Sequence, residues 1–97
     1  MRIRILSSAI QDLEEGKAFY EALDLGLGDY FQDCLFADID SLSLYGGIHR
    51  KIFGFYRLLS KRFPYGIYYR IQGGDLAVVY RVLDCRRNPK WIRRSLG

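Results

Sequence analysis

At His49 the spacing of apolar residues in this chain changes from about 3.6 to about 2, so helical and extended segments are segregated along the sequence. Before that point Ala9, Leu13, Gly16, Tyr20 and Leu23 recur on one helical stripe, and Phe31, Leu35, Ile39 and Leu42 on a second. After it, apolar residues alternate. Phe63, Tyr65, Ile67, Tyr69 and Ile71 form one row and Pro64, Gly66, Tyr68 and Arg70 the other. Helices first and strands after predict an α+β protein.

The punctuation between these runs supplies the order of elements. Ile3 and Ile5 alternate with Arg2 and Arg4 in a short first strand, and Ser8 with Gln11 matches a capping box for the helix behind it. Gly16 on the first stripe would admit a closely packed partner. Gly26-Leu27-Gly28-Asp29 is a tight joint in which a left-handed glycine closes the first helix and Asp29 with Gln32 caps the second. Gly46-Gly47 ends that helix. A single strand then runs from Ile52 to Leu59, and Gln72-Gly73-Gly74-Asp75 turns the next strand into the last, where Leu76, Val78, Tyr80 and Val82 oppose Ala77, Val79, Arg81 and Leu83. The predicted architecture is β-α-α-β-β-β, an N-terminal helical hairpin packed on a mainly antiparallel four-stranded sheet, in one domain over residues 1–97.

Charge is as segregated as periodicity. Residues 1–48 hold three bases against nine acids, and residues 49–97 hold twelve bases against only Asp75 and Asp84. A surface polarised in this way steers polyanions to one side, with an effect that weakens in salt. The start has no long apolar run of the signal-peptide kind and no stretch long enough to span a membrane, so a cytoplasmic protein is expected. Cys34 and Cys85 have no paired spacing and read as reduced, structural residues, and neither a metal nor a cofactor is expected.

Candidate binding residues gather behind the alternating strands. Arg86, Arg87 and Trp91, with Arg81 and Tyr68, form the expected target-binding group; Tyr68 shares its row with Gly66 and Arg70 and reads as an exposed aromatic beside charge, whereas Tyr65 and Tyr69 read as core. Arg50, Lys51, Lys61 and Arg62 form an expected basic stripe beside Arg57, equally suited to protecting a sheet edge. Arg86 and Arg87 equally suit solvation of the sheet's end, and Trp91 suits an apolar anchor for the tail. His49, the lone histidine, reads as surface.

The order of elements, the Gly-Leu-Gly-Asp joint, the Phe-Pro-Tyr-Gly-Ile-Tyr-Tyr strand at 63–69 and the Val-Leu-Asp-Cys-Arg-Arg-Asn-Pro-Lys-Trp ending at 82–91 resemble the RelE/ParE toxin superfamily of bacterial type II toxin–antitoxin systems, also known as plasmid stabilisation proteins, over nearly the whole chain. The resemblance implies a small basic growth inhibitor held inactive by an antitoxin. Within the superfamily, the ribosome-dependent mRNA endonucleases carry two basic residues on the strand before the Phe-Pro-Tyr segment, an arginine directly after its tyrosine, an arginine beyond the last strand, and a tyrosine or histidine close behind. That set moves a proton from the 2′-hydroxyl and holds the charge of the reacting phosphate.

Laid on this chain, the pattern finds Arg57 at one strand position and Leu59 at the other, Gly66 in place of the arginine after Tyr65, Arg86 at the last arginine, and Trp91 near the aromatic. Arg57 and Arg86 are therefore the catalytic candidates of an incomplete set. The ParE branch lacks the set and is understood to poison DNA gyrase by protein contacts, and the double arginine, Pro89 and Trp91 fit it better. Asp84 departs from a histidine common among relatives and would pair Arg86 or Arg57. Three readings follow: a ParE-like toxin binding gyrase and neutralised by a cognate antitoxin, a RelE-like endonuclease acting on mRNA in the ribosome, and an antitoxin-binding toxin fold without activity.

Overall fold

The computed structural model describes all residues from Met1 to Gly97. Strand β1 (Arg2–Ile5) leads into α1 (Ser7–Leu23), α2 (Leu27–Asp40) and a single turn α3 (Leu42–Tyr45); β2 (Lys51–Ile52), β3 (Phe55–Leu59), β4 (Tyr65–Gln72) and β5 (Leu76–Asp84) follow, and α4 (Pro89–Ser95) closes the chain. The α+β order and the helical hairpin are as the periodicity predicts. The sheet differs in having five strands, in the order β1-β5-β4-β3-β2, with β1 parallel to β5 and every other pair antiparallel.

The extra strand arises where the alternation was read straight through a turn. Phe53 (φ 54°) and Gly54 (φ 81°) are both left-handed, and Lys51 faces Tyr56 while Ile52 faces Phe55, the register of a two-residue hairpin. Glycine takes this conformation freely, but phenylalanine gives no sequence warning of it, which is why β2 and β3 looked like one strand.

Two apolar layers flank the sheet. On one face α1 and α2 contribute Ala9, Leu13, Tyr20, Phe31, Leu35 and Ile39, which pack with Ile67, Tyr69, Ala77, Val79 and Val82. The helices approach closely because Gly16 has no side chain; a Cβ there would lie 2.6 Å from the Phe31 ring. Leu23, the last residue of the predicted stripe, is exposed beyond this contact. On the other face α4 places Ile92, Trp91 and Leu96 against Phe55, Tyr68, Tyr80 and Leu83. This second layer had no counterpart in the periodicity. Its helix is only seven residues long, but Asn88 caps it by accepting from the Lys90 amide at 2.8 Å, and Pro89 occupies the first turn.

Helix starts are made differently from the predicted caps. Ser8 lies inside α1 and donates instead to the Tyr80 carbonyl at 2.6 Å. Gly26 is left-handed as predicted, but α2 begins at Leu27 and its free amides are met by Glu21 of α1, which accepts from Gly26 and Gly28, each at 2.9 Å.

Strict alternation also fails in β5. Tyr68 pairs with Arg81 but Tyr69 with Val79, so Tyr80 is an extra residue opposite the Tyr68–Tyr69 step. The bulge shifts parity, and Val82 joins Ala77 and Val79 on the helical-hairpin face while Leu83 joins Tyr80 under α4. No helix is long and apolar enough to cross a membrane.

Candidate functional site

Strand β1 is four residues long and β5 nine, so β5 outruns its neighbour and bares a sheet edge. Helix α1 takes over that edge. Beyond the last strand-like bond, from Leu6 to the Val79 carbonyl, Ser8 meets the Tyr80 carbonyl and Asp12 accepts from the Val82 amide at 2.9 Å. The bulge swings Arg81 to the same carboxylate. Its Nε and Nη2 bond Asp12 at 2.8 and 2.9 Å, and its Nη1 donates to the Ser95 carbonyl at 2.6 Å. Arg81, expected at the target-binding surface, ties α1, β5 and α4 together and also lines the groove beside them; its pKa is raised chiefly by its hydrogen bond to Asp12. Asp12 escaped the sequence reading. An acid beside the stripe of Ala9, Leu13 and Gly16 was the available signal for a buried partner.

Past this tie, a groove of ≈ 340 Å³ opens between α1 and the end of β5, lined by Glu15, Phe19, Tyr65, Asp84, Arg87 and Trp91 among others. Arg87 stacks on the Trp91 indole at 3.8 Å, and Trp91 packs inward against the α4 layer, its predicted anchoring role.

Arg86 is held by Asp84. The guanidinium bonds it through Nε at 3.0 Å and Nη2 at 2.7 Å, and the Arg86 amide adds a third bond at 2.9 Å. These bonds hold the Asp84 carboxyl below its ordinary range despite partial burial, and push Arg86 up. Of the two partners open to Asp84, it takes Arg86. Tyr65 and Tyr20, the aromatic residues nearest this pair, are raised chiefly by burial, Tyr65 to about 12.

Arg57 belongs to a different constellation. It lies opposite Tyr68 on β3, and the hydrogen-bonding and charge neighbours of Tyr68 are Arg57 and Cys85. A Cβ on Gly66 would sit 3.1 Å from the Cys85 sulfur and 3.2 Å from Arg57, so this position is enclosed rather than open. Burial raises the Cys85 thiol, against the opposing pull of Arg57. Tyr68 is fully buried beneath α4, which corrects its reading as an exposed aromatic: the missing α4 supplied the cover. Arg57 and Arg86 therefore address opposite faces of β4, Arg57 beside Tyr68 on the α4 side and Arg86 beside Tyr65 and Tyr20 on the hairpin side.

The expected basic stripe is divided as well. Lys51 sits over the Tyr56 ring at 4.8 Å and Arg50 precedes β2, whereas Lys61 and Arg62 lie past the end of β3 in a cleft with Cys34, Ala37 and Asp38 of α2. His49 is far from both arginine clusters in its contacts. Tyr69 Oη accepts from the Gly47 amide at 2.8 Å and shares a 2.5 Å hydrogen bond with His49 Nδ1, and burial lowers the imidazole. No cluster of three or more His, Cys, Asp or Glu is arranged to hold a metal.

A sheet with a helical hairpin on one face and a short C-terminal helix on the other, and a polar tie at the end of β5, is a three-layer α+β module. Residues 3–89 match the model for the ParE toxin of type II toxin–antitoxin systems (parDE), and the chain belongs to that family. Among solved structures it is similar in fold to a chain of the chromosomal ParDE TA system from P. aeruginosa, at 19% sequence identity and a TM-score of 0.74, covering 84% of this chain and 92% of that one. No curated protein sequence matches.

Proposed function

We propose that this ParE-family toxin inhibits growth by binding a protein target, DNA gyrase, and that a cognate antitoxin neutralises it. The observation that carries the reading is the separation of Arg57 and Arg86. A phosphate held by both would have to reach both faces of β4, and a preorganised cation pair is what charge stabilisation in cleavage requires. The titratable neighbours of the two arginines are Tyr20, Tyr65, Tyr68, Cys85 and Asp84. Burial keeps the phenols and the thiol protonated, and the Asp84 carboxylate is committed to Arg86, so none of these five groups is a free general base at neutral pH. A side chain at Gly66 would meet Cys85 and Arg57 at 3.1 and 3.2 Å, so a third cation there would have to displace both.

The groove between α1 and the end of β5, with Phe19, Trp91, Arg87 and Glu15 on its walls, suits a peptide of mixed charge and is the surface on which a protein partner is best accommodated. The deciding experiment uses purified protein in two assays, gyrase supercoiling and translating ribosomes with primer extension on the message. Inhibited supercoiling with intact message is the expected result. Message cleavage lost in Arg86→Ala would establish the endonuclease instead, and inactivity in both, with antitoxin still bound, would leave a toxin fold without its own activity.

A further inference from the structure

Of the fifteen lysines and arginines, four form ion pairs: Arg2 with Asp75, Lys17 with Asp29, Arg81 with Asp12 and Arg86 with Asp84. The cations of α4 have no acidic partner. Trp91, Ile92 and Leu96 point into the sheet, which leaves Lys90, Arg93 and Arg94 together on the solvent side at the i, i+3, i+4 spacing of one helical face. Arg70 of β4 extends this surface. Its guanidinium lies over the Phe55 ring at 3.9 Å and near Tyr80 at 5.4 Å, its Nε donates to the Gly54 carbonyl at 3.3 Å, and it lines one cleft with Arg93 and the exposed Phe53.

Arginines fixed by rings rather than by carboxylates keep their full charge, and a stacked guanidinium still presents N–H donors at its rim. Arg70 is set against Phe55 in this way, and Arg93 lies 5.9 Å from the Phe53 ring. The favourable position of Arg93 and Arg94 at the helix C-terminus explains their presence on α4 but not the convergence of Arg70 from the sheet. We infer that the outer face of α4, with Arg70, is a binding surface for the phosphate backbone of a nucleic acid, which the protein holds without cutting. This is a property of the α4 face whether or not gyrase is the protein target, since the groove of the proposed target lies on the α1 side of β5.

Fluorescence anisotropy with a random-sequence DNA duplex and with a single-stranded RNA, titrated at several salt concentrations, tests it. Backbone binding predicts that log affinity falls linearly with log salt, and that Lys90→Ala/Arg93→Ala reduces the slope by about 2 and the affinity about tenfold near 0.1 M salt. Both residues are exposed, and circular dichroism checks that the variant remains folded. Equal affinity for the two probes or a preference for either supports the inference and names the source of the phosphates. Lys61→Ala/Arg62→Ala removes the same net charge from the cleft beside α2 and should leave binding unchanged. An equal loss in that control, no binding at about 50 mM salt, or equally tight competition by poly-glutamate of matched charge would each overturn the inference.

Discussion

Asp12 and Arg81 illustrate how much one buried pair governs here. Asp12 is 8% exposed and answers three donors, the Arg81 Nε and Nη2 and the Val82 amide, so its removal strands a guanidinium and a strand amide together. Removing one partner of such a pair costs about 3 kcal/mol, the lower end of the usual range because Arg81 is a quarter exposed. Asp12→Ala should therefore lower the urea-unfolding free energy by about that amount, with Asp12→Asn recovering part of it. His49 gives a separate, pH-dependent signature. Burial lowers its folded pKa below the unfolded value near 6.5, so the unfolded chain binds the proton more readily and stability falls as pH drops through that window. Denaturation midpoints should rise as pH climbs towards 7, and the rise should be much reduced in His49→Gln.

At the level of elements, legibility followed local chemistry. The stripe of Phe31, Leu35, Ile39 and Leu42 is buried as read, and the row from Tyr65 to Ile71 packs on the helices, because each depends only on a period kept within one element. What escaped depends on a departure from period. A phenylalanine in a left-handed turn hid β2, an inserted Tyr80 reversed the faces of β5, and a helix too short to show a period hid the cover over Tyr68. The site followed the same rule: Trp91 as an anchor and Asp84 with Arg86 were readable nearby in sequence, whereas the Asp12–Arg81 pair joins positions 69 residues apart. The turn yields a direct test. A non-glycine left-handed residue costs on the order of 1 kcal/mol, and asparagine suits that position before Gly54, so Phe53→Asn should raise stability by about 1 kcal/mol in chemical denaturation. Asn88→Ala removes the cap of α4 and should cost about 1 kcal/mol, with a red shift in the fluorescence of Trp91, the single tryptophan, as α4 loosens.

Across the whole molecule the sheet divides two chemistries. Acids concentrate on the helical hairpin and unpaired cations on α4 and the β2–β3 side, so the imbalance between the two halves of the sequence becomes a separation across the thickness of the protein. Stability is divided as well. Ile67, Tyr69, Val79 and Val82 are fully enclosed between central strands and the hairpin, whereas β2 and α4 lie at the margins of the fold. Native-state hydrogen exchange should find the slowest amides in β4 and β5, exchanging only with global unfolding, while β2 and α4 exchange through smaller openings.

The parallel pairing of Arg2 with Leu76 through Ile5 with Val79 carries a consequence for the toxin's birth. Of the five strands β1 is made first, and as an edge strand its only neighbour is β5, the last of the five. Until residues 76–79 emerge, Ile3 and Ile5 have no strand to lie against, and the end of β5 that anchors Asp12 and Arg81 does not yet exist. A fold assembled in this order has no finished surface until β5 has been made, however early its helical hairpin forms.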